Sequence, residues 1–322
     1  GMLQAGLLFL VLRSRGYLPR WQALGWSPKV KEVFVRLVPG ILGIGLLQLS
    51  TLVNLYFASR LPEGSLSYIY WADRLLEFPL SLIAVSIGSA LLPTLSDLAS
   101  RGDHVRFRET AEESFLMNLF LALPASLGLY FLAEPIVEVL FFRGRFNSHD
   151  LAQTASVLKV YALSLLVISC SRVLVPLYYA KKQTRYPMVL SLVCVLLHIL
   201  LAGFFIRQAG LVGLVYASFF AAFVNAVMLF VGLLRWDLML SPQRLWRSFW
   251  RMGIAAFALV GALKIQEALQ TYFAGPLWIS LFVTITVAVI VYFGSAQVLR
   301  LEEFLRIRPS FRLWSDRLRQ KE

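Results

Sequence analysis

Eight apolar runs, each close to the 20 residues that an α-helix needs to cross a bilayer core, decide what this chain can fold into. They fall at about 33–58, 66–96, 114–142, 153–180, 187–206, 210–234, 249–270 and 276–299. No period-two alternation runs through them, so membrane strands are excluded as their form. A water-soluble domain could not hide them either. The sequence is 58% hydrophobic and 15% charged, against about half and about a quarter for a soluble globular protein. The fold class expected is all-α, a polytopic transmembrane helix bundle. The second, third and fourth runs exceed a minimal span and are expected to tilt or to project from the bilayer. Pro39, Pro79, Pro93, Pro124 and Pro176 lie in or at the ends of spans. In lipid, proline marks a bend whose freed carbonyl finds another partner.

The loops give an independent test, because cytoplasmic loops of membrane proteins are rich in Lys and Arg. One alternate set holds Arg13, Arg15, Arg20, Lys29, Lys31 and Arg36; Arg101, Arg106 and Arg108; Lys181, Lys182 and Arg185; Arg235, Arg244, Arg247 and Arg251. The tail adds Arg300, Arg306, Arg308, Arg312, Arg317, Arg319 and Lys321, making 23 of the 31 basic residues. The opposite set holds only Arg60, Arg143, Arg145 and Arg207. This split places the C-terminus and the loop before the first span in the cytoplasm. It also accounts for the net charge of +13 without nucleic acid, since the positive charge lines one membrane face and matches anionic lipid headgroups. The apolar stretch Met2–Leu12 precedes its arginines, the reverse of a signal peptide. Residues 1–32 are therefore expected to be the end of a preceding membrane helix and a cytoplasmic loop, in a chain that starts mid-protein. The basic tail 300–322 mixes Leu301, Phe304, Leu305, Leu313, Trp314 and Leu318 with its charges, as an interfacial amphipathic helix does. Stretch 236–250, with Trp236, Trp246 and Trp250, reads the same way.

Four basic residues remain inside spans, where a charge costs roughly 2.5–3.5 kcal/mol on insertion scales. Lys159 lies near an outer end and can snorkel. Lys264 can pair with Glu267 along its helix. Arg172 sits deeper, among Val167, Ile168, Val173 and Leu174, either packed against helix carbonyls or on a cavity wall. Asp73, Arg74 and Glu77 form a denser group, three ionisable residues in five: Asp73 and Glu77 share a helix face and Arg74 reaches Glu77 at i+3, with Asp73 about 13 Å below a span end near Gly64. Such a group is either an ion-pair network fastening helices or the lining of a hydrated cavity that presents Arg74 to an anion. The two cysteines, Cys170 and Cys194, lie in apolar runs and read as buried small residues. His104, His149 and His198 are scattered, with no HExxH pair, no CxxC and no Walker loop. No metal, cofactor or catalytic centre is expected, and a transporter fits better than an enzyme.

A series of short motifs then carries a family resemblance. Asn54-Leu-Tyr-Phe-Ala-Ser59, Gly64-Ser-Leu-Ser67, Tyr70-Trp-Ala-Asp-Arg-Leu75 and Pro79 resemble the MurJ (MviN) lipid II flippases. So do Leu91-Leu-Pro-Thr-Leu-Ser96, Leu140-Phe-Phe-Arg-Gly-Arg-Phe146 with Asp150, Tyr161-Ala-Leu163, and Val173-Leu-Val-Pro176 with Tyr179-Ala180. The match runs in order from Leu3 to about Asn225 and then weakens.

The resemblance implies membership of the multidrug/oligosaccharidyl-lipid/polysaccharide exporter superfamily. It implies a MATE-like fold of two six-helix lobes around a cationic cavity, with two C-terminal helices forming a groove for a lipid tail. By similarity, 33–236 is the second six-helix lobe, 237–299 the two C-terminal helices and 300–322 a cytoplasmic basic tail; the first lobe is missing. Asp73 and Arg74 fall on the family's acid–arginine pair, with Asp73 orienting Arg74 toward phosphate. Arg172 falls where the family often has lysine. Glu77, Asn54 and Ser59 are supporting residues. Some members bind sodium through an Asp and an Asn, and here those positions hold Asn54 and His198. The implied activity is flipping of the polyprenyl diphosphate-linked peptidoglycan precursor, lipid II, to the outer leaflet of the bacterial inner membrane by alternating access. Its partners would be membrane lipids, the missing N-terminal lobe and the cell-wall synthesis machinery. Two other readings stay open at this point. One is an exporter of another polyprenyl-linked saccharide or of a drug-like cation, although a cation exporter should lack the paired arginine. The other is a truncated, non-transporting membrane scaffold.

Overall fold

The computed structural model describes residues 2–14, 16, 49–235, 242–270 and 276–306. The chain forms two compact units, residues 1–45 and 46–322. In the first, α1 (Met2–Ser14) is an apolar helix. In the second, α2 (Leu49–Ala58) leads through a short turn to α3 (Ser65–Leu80). A π turn at Ser81–Val85 joins α3 to α4 (Ser86–Ser100). Then follow α5 (His104–Phe131), α6 (Ala133–Phe141), α7 (Ser148–Ala180) and α8 (Arg185–Arg235). Two further helices, α9 (Pro242–Gln270) and α10 (Leu277–Val298), complete it. No strand occurs among the described residues. Among the described residues six stretches are long and apolar enough to cross a membrane: Ser65–Ser100, His104–Phe131, Ser148–Ala180, Arg185–Leu234, Gln243–Ile265 and Leu277–Val298. The all-α transmembrane bundle expected from the sequence is thus what forms.

The expected boundaries need three adjustments. The run at 114–142 is two helices, because α5 starts at His104 and ends at Phe131, where Leu132 leaves helical geometry. Pro135 supplies the reason, since its ring would collide with the carbonyl four residues earlier and it has no N–H to donate. The run at 66–96 extends over 65–100, and Pro79 stays inside α3, two residues before the π turn. Runs 187–206 and 210–234 are the two arms of α8, broken at Ala209 and Gly210. Gly210 has φ +54, a conformation open to glycine at little cost. Most of span 33–58 with Pro39, the loop basics from Arg15 to Arg36, Trp236, the side chain of Glu267 and the tail beyond Arg306 lie outside the described residues.

The most buried span is α7, which packs on α3, α4, α5, α6 and α8. Its small and hydroxylated positions allow this. A Cβ on Gly88 of α4 would sit 2.9 Å from the Arg172 carbonyl oxygen, so the two backbones approach as small residues permit in membrane bundles. Ser126 of α5 donates to the Ala162 carbonyl at 2.6 Å, and Asn118 to Ser169 at 3.1 Å. Each link satisfies a buried polar group that hydrocarbon could not.

The arms of α8 fold onto each other around Phe205 and Phe220, whose rings stack at 5.7 Å. Tyr186 donates to the Met228 carbonyl, and Tyr178 of α7 to that of Leu229. The pair α9 and α10 packs on α5 with an aromatic lock, in which Tyr292 donates to the Phe120 carbonyl at 2.8 Å and its ring lies tilted against that of Phe120 at 5.3 Å.

Helices α4, α7 and α10 end alike. Asp103 N–H bonds Leu98 O, Gln183 N–H bonds Tyr178 O, and Leu301 N–H bonds Ala296 O. The residues before these donors, Gly102, Lys182 and Arg300, all have positive φ. This is the Schellman closure, normally given to glycine; here two of the three are basic side chains, favourable beside the negative end of the helix dipole. All three ends lie in the Lys- and Arg-rich loop set.

Candidate functional site

The face that carries the ionisable group is built by α3. Gly64 starts the helix at φ +92, and a Cβ there would lie 2.5 Å from the Tyr68 hydroxyl. That hydroxyl donates to Asp150 Oδ1 at 2.6 Å. Asp150 is already fixed, because it and Asn147 cap the start of α7 reciprocally. The latch therefore ties the beginnings of α3 and α7 and sets the rotation of α3. Ala72, Leu76 and Leu80 then turn inward, packed in one core with Tyr161 and Leu165 of α7. Tyr70, Arg74, Glu77 and Phe78 fall on the opposite, exposed side.

On that side the Arg74 guanidinium donates to Glu77 Oε2 at 2.6 Å and lies 5.0 Å from the Tyr70 ring centre. The two charged side chains are 53% and 58% exposed, so the described chain does not cover them. Asp73 is half-buried. The carboxylate that bonds Arg74 is Glu77, three residues on, the i+3 pair expected from the sequence; among the described residues Asp73 makes no hydrogen bond to Arg74. Asp73 shares a helix side with Glu77, four residues on, but sits at the border of the buried stripe of Ala72, Leu76 and Leu80, which half-buries it. Tyr70, one turn before Arg74, joins the group as a cation–π platform; its signal in the sequence was an aromatic four residues before the arginine.

The other expected residues do not gather there. Arg172 is exposed on α7, and the contact of its carbonyl with Gly88 puts it 14 residues below Arg74 on the α3–α4 rod, roughly 20 Å by helical rise. Arg172 and Arg74 thus form two cationic levels. Ser59 is an exposed turn residue whose hydroxyl bonds back to the Tyr56 carbonyl at 2.8 Å. Lys159, expected to snorkel, pairs with Glu134 of α6 at 2.6 Å. Lys264 lies over the Phe131 ring at 5.5 Å.

Asn54 Oδ1 and both ring nitrogens of His198 are buried without hydrogen-bond partners among the described residues. A hard cation takes oxygen ligands, usually with carboxylates among them. One amide oxygen and one imidazole are not such a set, so these residues do not fit the sodium site that the resemblance raises. Among the described residues no group of three His, Cys, Asp or Glu could hold a metal ion.

A family model described as lipid II flippase MurJ matches residues 1–299. The chain belongs to that family. It is 56% identical over 311 residues to the probable lipid II flippase MurJ of Bdellovibrio bacteriovorus, covering 96% of this chain and 60% of the relative. It is 34% identical over 262 residues to the probable lipid II flippase MurJ of Vibrio cholerae, covering 81% of this chain and 49% of that one. The chain thus spans between half and three fifths of these relatives. Among solved structures, a lipid II flippase MurJ in an inward closed conformation superposes with a TM-score of 0.72 at 22% identity, over 85% of this chain and 56% of that one. That likeness shows the fold. With the six apolar helices, membership of the MurJ family makes this a multi-pass membrane protein of a flippase family.

Proposed function

We propose that this chain provides the second six-helix lobe (33–236) and the two C-terminal helices (237–299) of a lipid II flippase in the bacterial inner membrane, with its C-terminus in the cytoplasm. In this reading a first lobe faces α3, and the two rock to expose the space between them to each side in turn, as repeat-built transporters do. The substrate is a polyprenyl diphosphate-linked peptidoglycan precursor. Its headgroup cannot cross hydrocarbon unaided, whereas its chain never has to leave it. The passage must therefore be polar, positive and open sideways to lipid.

The observation that carries this reading is the Arg74 guanidinium, held by Glu77 and Tyr70 on an uncovered face about 14 Å from the start of α3. An ionised pair at that depth does not face acyl chains; it faces water or another polar surface. A planar guanidinium binds phosphate oxygens bidentately, with Glu77 and Tyr70 holding it in register. Arg172, a level lower, meets the headgroup earlier in its passage, on the cytoplasmic side. An inside-negative potential favours outward movement of an anion by roughly 2.3 kcal/mol per charge per 100 mV. The test is complementation in cells depleted of their lipid II flippase, using the full-length protein. Arg74→Ala is expected to abolish growth and Lys264→Ala to preserve it. Normal growth of Arg74→Ala, with wild-type abundance, would overturn the cavity reading.

A further inference from the structure

We infer that a cleft at the start of α9 is a binding site for the phosphate of an anionic phospholipid in the bordering leaflet, separate from the transport passage. The site begins in the pattern of α9, whose residues divide into three stripes. Leu245, Ser248, Met252, Leu259 and Leu263 are buried. Trp246, Phe249, Trp250 and Phe257 are exposed, up to 82% for Phe257. Arg244, Arg247 and Arg251 form the third stripe, spaced by three and four residues so that they share a side of the helix.

The end of α10 closes this third stripe into a cleft. Arg300, at φ +50, reverses the chain, and Leu301 is buried beneath it. Glu302 and Glu303 thereby come against α9, where Arg244 donates to Glu302 at 2.7 Å and Ser248 to Glu303 at 3.0 Å. The cleft so formed has a volume of about 260 Å³ and is lined by Gln243, Arg244, Arg247, Ser248 and Arg251 with Leu301 and Glu302.

The charges that line it do not cancel: three arginines meet one carboxylate, Glu302, while Glu303 is buried behind Ser248. Glu302 is taken by Arg244, which also reaches the buried Glu112 at 3.4 Å. Among the described residues Arg251 finds only a carbonyl, that of Arg300, at 3.4 Å. Arg247 makes no ion pair among the described residues. Two guanidiniums thus line a small cleft with unspent donors, suited to a phosphate diester. The neighbouring aromatic stripe identifies the source of that phosphate. Exposed tryptophans settle at the lipid–water boundary, so Trp246 and Trp250 place the cleft at headgroup level, where basic pockets between membrane helices take lipid headgroups.

The experiment is native mass spectrometry of the purified full-length protein titrated with phosphatidylglycerol or phosphatidylcholine. The wild type should keep a phosphatidylglycerol adduct that phosphatidylcholine does not replace. The double variant Arg247→Gln/Arg251→Gln should bind phosphatidylglycerol roughly thirtyfold more weakly, from about 1 kcal/mol per arginine near the surface. A control double variant, Arg101→Gln/Lys182→Gln, removes two charges from the ends of α4 and α7 and should bind as wild type. Equal loss in the control would mean diffuse surface charge and overturn the site, as would unchanged binding in the arginine variant. Displacement of the adduct by millimolar inorganic phosphate would overturn the assignment to lipid. Displacement by a polyprenyl diphosphate, with loss of flipping in the arginine variant, would return the cleft to the carried substrate and overturn its separateness. If the double variant misfolds, Arg247→Gln alone carries the same comparison.

Discussion

Substituting Gly213 by alanine tests how the two arms of α8 are held together. A Cβ on Gly213 would lie 2.2 Å from the Phe205 carbonyl oxygen, 2.7 Å from its carbon and 3.3 Å from the Ala209 Cβ. Ordinary contact begins at 3.4 Å, so the shortfall against the oxygen is 3.4 − 2.2 = 1.2 Å. A flexible side-chain tip could swing aside, but a carbonyl in a helix moves only with its backbone. The arms must part, which also disturbs the packing of Ala202, Leu214 and Ala217 and the stack of Phe205 on Phe220. Overpacking of this kind costs typically 1–3 kcal/mol, and the backbone clash puts Gly213→Ala at the upper end. At roughly 2–4 °C per kcal/mol for a domain of 150–250 residues, the unfolding midpoint in detergent should fall by at least about 5 °C. Gly203 on the same helix is the control, because a Cβ there meets nothing within 4 Å. Gly203→Ala should leave the midpoint unchanged or raise it slightly, since glycine in a helix interior costs about 0.5–1 kcal/mol relative to alanine. If Gly213→Ala melts at or above Gly203→Ala, the arms do not pack as described.

Removing one hydroxyl in Tyr68→Phe takes away the bond to Asp150 while Asn147 keeps its cap. The cost should be about 1 kcal/mol, read as a lowered midpoint that Asp150→Asn in the same chain does not lower further by the full amount. Tyr292→Phe, which breaks the bond to the Phe120 carbonyl, should also cost about 1 kcal/mol. It should raise amide hydrogen exchange in α10 more than in α3, and equal exchange in both would refute the lock. Glu77→Gln weakens the grip on Arg74 and should slow flipping in reconstituted vesicles more than Asp73→Asn does. The reverse order would return the orienting role to Asp73.

Much of this architecture could be read from the sequence, because a bilayer reduces folding to a question of apolar length. Its alternating basic loops reappear as three helix ends of one kind, although nothing in the sequence marks Lys182 or Arg300 as left-handed residues, a role normally given to glycine. Pro135 announced the break after α5, yet the apolar run continues through it and hides the boundary. The Arg74–Glu77 pair was legible from its spacing. The orienting role given to Asp73 came from the family resemblance alone, and the half-burial of that carboxylate depends on tertiary packing that spacing does not encode. Tyr68 with Asp150, Glu134 with Lys159 and Glu112 with Arg244 are joined only by tertiary packing, over separations that no local pattern encodes.

The most direct test of the central claim is the reactivity of a cysteine at position 74, with Cys170 and Cys194 replaced, toward a charged, water-borne thiol reagent in native membranes. A thiol reacts as its thiolate, which needs water. The account predicts rapid labelling of Arg74→Cys that added lipid II slows, and no labelling of Phe257→Cys on the exposed aromatic stripe of α9. If Arg74→Cys is as inert as Phe257→Cys, position 74 faces acyl chains and the cationic passage does not exist.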